Sequence, residues 1–255
     1  MLLLLSPAKS LDYESPVPSE TATDTRLDIH SKKLAQVLKK KSAADLRELM
    51  GISESLAQLN AERFAQWNTP MKSPEARQAV FAFQGDVYQG LKAEDFSEQE
   101  LNYAQKHIRI LSGLYGVLRP LDLMLPYRLE MGTSLAVNGT ENLYQFWGDE
   151  LAKLLKSDLM ESGSDVIVNL ASNEYFNAVK KGLKGVTIVT PAFKDFKNGE
   201  YKMISFFAKK ARGMMARFAV QNGISNPEDL KAFDHDGYIF NKELSKEKSW
   251  VFTRG

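Results

Sequence analysis

Four consecutive leucines, Leu2 to Leu5, run straight into Ser6-Pro7. A short unbroken apolar run closed by proline predicts a strand buried on both faces. Further on, Leu34, Val37 and Leu38 share one face of a predicted helix over Ser31–Lys41, and Thr21–Asp28 reads as loop. Ser42 opens a Ser-x-x-Asp capping pattern before Leu46, Leu49 and Met50, and Gly51 stops that helix. Ser53 opens another, to about Trp67, with Leu56, Ala57, Asn60 and Phe64 on one side. Pro74–Phe83 is predicted helical. Ser97 to Glu100 is a full capping box, and Leu101, Ala104, Ile108 and Leu111 continue a helical stripe to Gly113.

The second half alternates between types. Tyr144–Leu155 reads as a helix, and Val166–Leu170 as a strand leading into a helix that Ser172 or Asn173 opens. Val186–Val189 and Lys202–Phe207 read as strands, with Asn198-Gly199 a hairpin signal between Phe196 and Tyr201. Lys209–Val220 carries Ala211, Met214, Met215, Phe218 and Ala219 at core-stripe spacing, with Gly213 suited to a close backbone approach. Tyr238–Phe240 and Trp250–Phe252 would close the sheet. Helices and strands mix without strict alternation and no linker interrupts them. The expectation is α/β (or α+β): one compact domain over residues 1–255, with a central mixed sheet and a helical lobe.

The segment Ser112 to Gly132, SGLYGVLRPLDLMLPYRLEMG, follows no single period. Its apolar bulk argues against a surface loop, and Pro120 and Pro126 argue against a helix. It is expected to be buried, irregular, and to fix Arg119, Arg128 and Glu130 in place. Either these charges form a structural ion-pair knot, or the two guanidinium groups present themselves to an anion.

Charge sharpens the picture. The chain of 255 residues has net charge +1, yet residues 180–217 hold ten Lys and Arg against Asp195 and Glu200. That segment is therefore +8 and the remainder −7, the footprint of polyanion binding unless folding scatters the lysines. Lys209, Lys210, Arg212 and Arg217 flank the predicted helix core and suit phosphate contacts or plain solubility. The chain has no cysteine, which excludes a peroxidatic thiol, a thiolate zinc site and a cysteine-ligated iron–sulfur cluster. His30, His107 and His235 lie far apart, so no metal site and no cofactor is expected. No stretch is long enough to cross a membrane.

Three places carry candidate chemistry. Leu46-x-x-Leu49-Met50-Gly51-Ile52-Ser53, within residues 31–67, resembles a helix-hairpin-helix element, in which free N–H groups of the second helix meet a phosphate. Gly51, Ile52, Ser53 and Ser55 are the contact candidates there. Ser53, however, stands where that pattern has a second glycine and competes as an N-cap. Ser6-Pro7-Ala8-Lys9 leaves the first strand. Lys9 there is either a solvated lysine, a phosphate ligand or, if desolvated, a nucleophilic amine, with Glu130 as a second catalytic candidate. Asn169, Ser172 and Glu174 mark a similar strand end.

Six blocks, MLLLLSPAKSLDY, FQGDVYQGL, the Ser112–Gly132 segment, LYQFWGD, VIVNLASNEYF and ISFFAKKARGMMARF, resemble the bacterial YaaA family of peroxide stress resistance proteins in order. The resemblance implies a cytoplasmic protein that limits oxidative damage, is linked to lower free iron, and binds DNA through a helix-hairpin-helix in an unusual α/β fold. It supplies no catalytic reaction. The expected partner is DNA, double-stranded or structured, bound without sequence preference, with no membrane and no obligate protein partner. The rival expectation is an enzyme on a nucleobase or damaged DNA, using a cleft with Lys9, Arg119, Arg128 and Glu130.

Overall fold

Leu2 to Leu5 have no exposed surface, and they form the middle of the main sheet. The computed structural model describes residues 1–71 and 75–255. Across the sheet the strands run Ile239–Phe240, Ser249–Arg254, Thr187–Lys197, Val166–Asn169, Leu2–Leu5, Ile108–Ser112 and Gly116–Leu118. The five inner strands are parallel, and the two outermost pair antiparallel. Parallel strands buried on both faces must be apolar throughout, which explains the unbroken leucine run. Glu200–Lys202 folds back on Thr187–Lys197. Asn198 and Gly199 both have positive φ, 56° and 83°, as a tight hairpin requires. Helices surround this mixed sheet in one compact domain.

Both capping boxes form. Ser42 Oγ accepts from Asp45 N–H at 3.2 Å while Asp45 accepts from Ser42 N–H at 2.8 Å. Ser97 and Glu100 repeat the exchange at 3.3 and 2.7 Å. The first three helices span Asp28–Leu38, Ala43–Met50 and Glu54–Gln66. Gly51 joins the last two in a left-handed conformation, φ 60° and ψ 42°.

Several expected elements change type. The helix from Ser97 ends at His107, and Ile108–Ser112 is a fully buried strand beside Leu2–Leu5. The spacing of residues 101, 104, 108 and 111 fits a helix, but the β-branched Ile108 and Ile110 take the sheet instead. Lys202–Phe207 is not a strand. Extended pairing stops at Lys202, and Ser205–Gln221 is one helix whose opening aromatics, Phe206 and Phe207, remain exposed. Tyr144–Leu155 divides into Leu143–Trp147 and Glu150–Glu161 because Gly148 turns the chain at φ 47°. Of the predicted helix Pro74–Phe83, Pro74 lies outside the described residues. Arg77–Gln78 and Phe83–Gln84 are short strands, and only Ala79–Ala82 is helical.

Ser112–Gly132 is buried and mostly irregular, as its composition implies. A second buried charge cluster has no counterpart in the sequence reading. Arg109, on the inner strand, donates from Nε to Asp158 at 2.5 Å, and Arg26 donates to the other oxygen at 2.6 Å. Burial alone would raise the Asp158 carboxyl. The two arginine hydrogen bonds outweigh it and hold that carboxyl below its ordinary range.

Helix packing also sets the wall of the site described next. Asp86–Leu91 crosses Ser205–Gln221 at a double glycine contact. A Cβ on Gly213 would lie 1.8 Å from the Val87 carbonyl oxygen, and one on Gly90 2.1 Å from the Lys210 carbonyl oxygen. Only glycine permits this approach.

Candidate functional site

From Leu2–Leu5 the chain moves to one side, into Ile108–Ser112. From Val166–Asn169 it moves to the other, into Thr187–Lys197. The order therefore reverses between Leu2–Leu5 and Val166–Asn169. The loops leaving their carboxyl ends diverge and open a crevice, the place where open α/β sheets bind ligands. A cleft of about 440 Å³ lies there.

Its floor is the junction of the two loops. Ser6 Oγ accepts from Ser172 N–H at 2.8 Å, and the Tyr88 hydroxyl donates to the Ser6 carbonyl at 3.0 Å. Lys9 and Ser10 continue along the first loop, and Glu174 and Tyr175 along the second. Gly85 and Asp86 form a third side, with Gly85 at φ 135°. Lys209 and Arg212, about one and two turns into the long helix, form the fourth.

The charges are unequally partnered. Lys9 Nζ lies 2.8 Å from Glu130, and Arg128 lies 3.3 Å from the same carboxylate. Glu174 accepts the Gly132 N–H at 2.9 Å. Arg212 is half-buried, and no hydrogen bond or ion pair reaches its guanidinium among the described residues. Burial pulls it below its ordinary value, the mark of a cation held partly out of water without a counter-charge. Lys209 beside it is exposed and has no ion pair among the described residues. Asp86 and Glu174 also line the cleft. The cleft thus holds unpaired cations together with carboxylates. It suits a ligand that carries both an anionic group and hydrogen-bond donors. Burial raises the Tyr175 hydroxyl well above its usual range, so at neutral pH it contributes a neutral hydroxyl.

The sequence candidates divide clearly. Lys9, Glu130, Ser172, Glu174, Lys209 and Arg212 line one cleft, and Arg128 adjoins it through Glu130. Arg119 does not line it. Its Nε donates to Asp122 at 2.9 Å and its Nη2 to the Asp24 carbonyl at 3.1 Å, a structural knot around a fully buried carboxylate. Arg217 also serves the fold. It donates to the Leu91 and Lys92 carbonyls at 3.2 and 2.7 Å and stands over the Phe96 ring at 5.5 Å. Lys210 lies outside the cleft lining, its carbonyl at the glycine crossing. Asn169 is buried and its side chain accepts the Ala171 N–H at 3.1 Å.

Gly51, Ile52, Ser53 and Ser55 form a separate helical turn that does not line the cleft. Ser53 Oγ accepts the Leu56 N–H at 3.3 Å and contacts Ser55 Oγ at 3.1 Å, so it occupies one of the free donors at that helix start. Lys9 differs from the desolvated amine considered above. Its side chain is 62% exposed and ion-paired. Ser6, Asp86, Tyr88 and Tyr175 were given no role from the sequence. The available signal was Gly85-Asp86, a glycine directly before a helix start.

The family model described as "Peroxide stress protein YaaA" matches residues 1–244. The chain belongs to that family. Among curated relatives, the "UPF0246 protein" of Hahella chejuensis is 53% identical over 254 residues, covering 100% of this chain and 99% of the relative. The "UPF0246 protein" of Colwellia psychrerythraea is 52% identical with the same coverage. That of Shewanella amazonensis is 54% identical over 255 residues, covering 100% of this chain and 99% of the relative. The family name ties the chain to peroxide stress. No helix among the described residues is long and apolar enough to cross a membrane.

Proposed function

We propose that the protein is a cytoplasmic DNA-binding component of the peroxide stress response, limiting iron-dependent oxidative damage to DNA. The observation that carries this reading is Arg212, a half-buried guanidinium without a partner, beside Lys209 in a crevice at the sheet's switch point. A DNA phosphate supplies the missing counter-charge, and bidentate guanidinium–phosphate bonds are among the stronger polar contacts. The Asp86 and Glu174 carboxylates in the same lining accept hydrogen bonds from ligand donors. A nucleotide carries both features. The Gly51 turn is a second phosphate contact in this reading, through those N–H groups that Ser53 leaves free. Phosphate contacts position without reading sequence, so binding is largely sequence-independent.

The test is duplex DNA affinity as a function of salt. With about four to six phosphates neutralised, affinity falls by roughly a hundredfold or more between low and physiological salt. Affinity that stays flat over that range defeats the proposal.

A second reading, an enzyme acting on a nucleobase or damaged DNA, is favoured by the position of Lys9 and Glu130 at the crevice. An exposed, ion-paired Lys9 argues against an amine nucleophile. Borohydride trapping with abasic-site DNA is expected to give no adduct. An adduct lost in Lys9→Ala would instead establish a Schiff-base lyase.

A further inference from the structure

Arg77 is 6% exposed, yet its guanidinium makes no hydrogen bond among the described residues. Its Nε is buried without a partner. The carboxylate oxygen paired with it, Asp12 Oδ1, lies 3.9 Å from Nη1, beyond hydrogen-bond reach. That oxygen already accepts the Glu14 and Ser15 N–H groups at 2.9 Å each. A buried cation in this state carries a desolvation cost that a bound anion would offset.

Arg77 opens into a cavity of about 190 Å³. Residues of the loop 12–18 and of the segment 77–84 line it. The loop is fixed at both ends. Asp12 N–H donates to the Ala82 carbonyl at 2.8 Å, and the Gln78 side chain donates to the Ser19 carbonyl at 2.9 Å. Arg77 itself sits on a short strand paired with Leu123–Met124. Val80, Phe81 and Phe83 give the cavity apolar surface. Gln84 and Tyr88 line both this cavity and the cleft, whereas Lys9, Lys209 and Arg212 line only the cleft.

Size and charge define the ligand. The volume is below the ~300–1,000 Å³ typical of sites for drug-sized ligands, so the occupant is small. Arg77 calls for one negative charge. A phosphate dianion would bring a second one beside Asp12. Hydrogen bonds from Ser15 and then Glu14 hold the Asp12 carboxyl down at about 2, so it is ionised at neutral pH. A ligand with a positive group next to its negative one satisfies both residues. The 3.9 Å gap is too wide for a direct hydrogen bond, but adjoining carboxylate and ammonium groups can each reach one side of it. Asp12 has acceptor capacity left, because its Oδ2 holds only the Gln84 amide, at 3.4 Å.

We propose that this cavity binds a free α-amino acid with an apolar side chain, its carboxylate on Arg77, its ammonium on Asp12 and its side chain against Val80, Phe81 and Phe83. Guanidinium–carboxylate pairs are charge-assisted and frequently bidentate, which gives Arg77 the partner it lacks. The site is separate from the cleft and does not depend on the DNA-binding reading.

The test titrates L-leucine, L-methionine and L-phenylalanine into the wild-type protein, followed by ligand-observed NMR. The best binder is then compared with its deaminated acid and its amino alcohol. Each analogue lacks one charged contact and should bind roughly 10- to 150-fold more weakly. Asp12→Asn keeps an oxygen for the Glu14 and Ser15 amides, so it should fold. It should lose a similar factor on the amino acid and bind the deaminated acid no worse than wild type does. Arg77→Gln should abolish binding. If its melting temperature shows that it has unfolded, Asp12→Asn decides alone. Three results overturn the proposal: none of the three amino acids binds, the deaminated acid binds as tightly as the amino acid, or Asp12→Asn keeps the wild-type affinity. Inorganic phosphate that binds where no amino acid does would mark a simple anion site and overturn it too.

Discussion

Gly213→Ala is the substitution whose consequence the structure specifies most fully. The added methyl would lie 1.8 Å from the Val87 carbonyl oxygen and 2.8 Å from the Leu91 amide nitrogen. Both are backbone atoms of the neighbouring helix, so no side chain can swing aside. The helices must separate by more than an ångström. Overpacking of this kind typically costs about 1–3 kcal/mol, and a backbone obstacle belongs at the upper end, ~3 kcal/mol. Replacing a mid-helix glycine by alanine returns ~1 kcal/mol of helix propensity. The net is a loss of about 2 kcal/mol. For a chain of this size that lowers the melting temperature by roughly 4–8 °C, read by scanning calorimetry. The same helices carry Val87 and Tyr88 on one side of the cleft and Lys209 and Arg212 on another. Separation also displaces the cation wall, so DNA affinity should fall with stability. A melting temperature equal to or above wild type would refute the reasoning, because the propensity gain would then be unopposed.

Asp158→Asn leaves Arg26 and the buried Arg109 without their counter-charge and should cost about 3–5 kcal/mol in denaturant unfolding. The lowered Asp158 carboxyl stabilises the fold above its unfolded value and loses that contribution as pH falls through the folded one, so the variant should show a shallower acid limb. Burial lowers the pKa of His107, whose ring packs on Tyr103 at 4.2 Å. Its neutral form is favoured by folding, so stability is full above the unfolded value of about 6.5 and declines as pH falls toward the folded one. His107→Gln should flatten melting temperature against pH in that window, and an unchanged slope would exclude His107. Gly51→Val forces a β-branched residue into the left-handed turn at φ 60° and should weaken duplex binding in a protein that still folds. Unchanged affinity would remove that turn from the interface.

The parts of the fold legible in the sequence were those governed by local rules. The Leu2–Leu5 run, the Ser42 and Ser97 caps, the Gly51 stop and the Asn198-Gly199 hairpin each follow from contacts within a few residues. Elements decided by distant partners were not legible. Ile108–Ser112 is a strand because Leu2–Leu5 lies beside it, about a hundred positions earlier. Phe206 and Phe207 suggested a strand because sequence alone cannot say that exposed rings will open a helix. The candidate site was half legible. Lys9, Glu130, Lys209 and Arg212 stood out as charges beside apolar sequence, and they share one cleft. Arg119 and Arg217 stood out for the same reason, yet they serve the structure. Only the fold distinguishes a guanidinium facing Asp122, or backbone carbonyls, from one facing an open crevice. Asp86 and Ser6 were missed because an isolated acid or hydroxyl has no pattern until the switch point gathers it.

Lys209 and Arg212 are expected to engage DNA phosphates from the cleft. The slope of log affinity against log salt measures this most directly, compared between wild type and Lys209→Ala/Arg212→Ala. Each lost phosphate contact reduces the slope by about 0.9, so the double variant should fall short of wild type by nearly 2, equally for unrelated duplexes. A folded double variant with the wild-type slope would contradict the account, whatever its affinity at a single salt concentration.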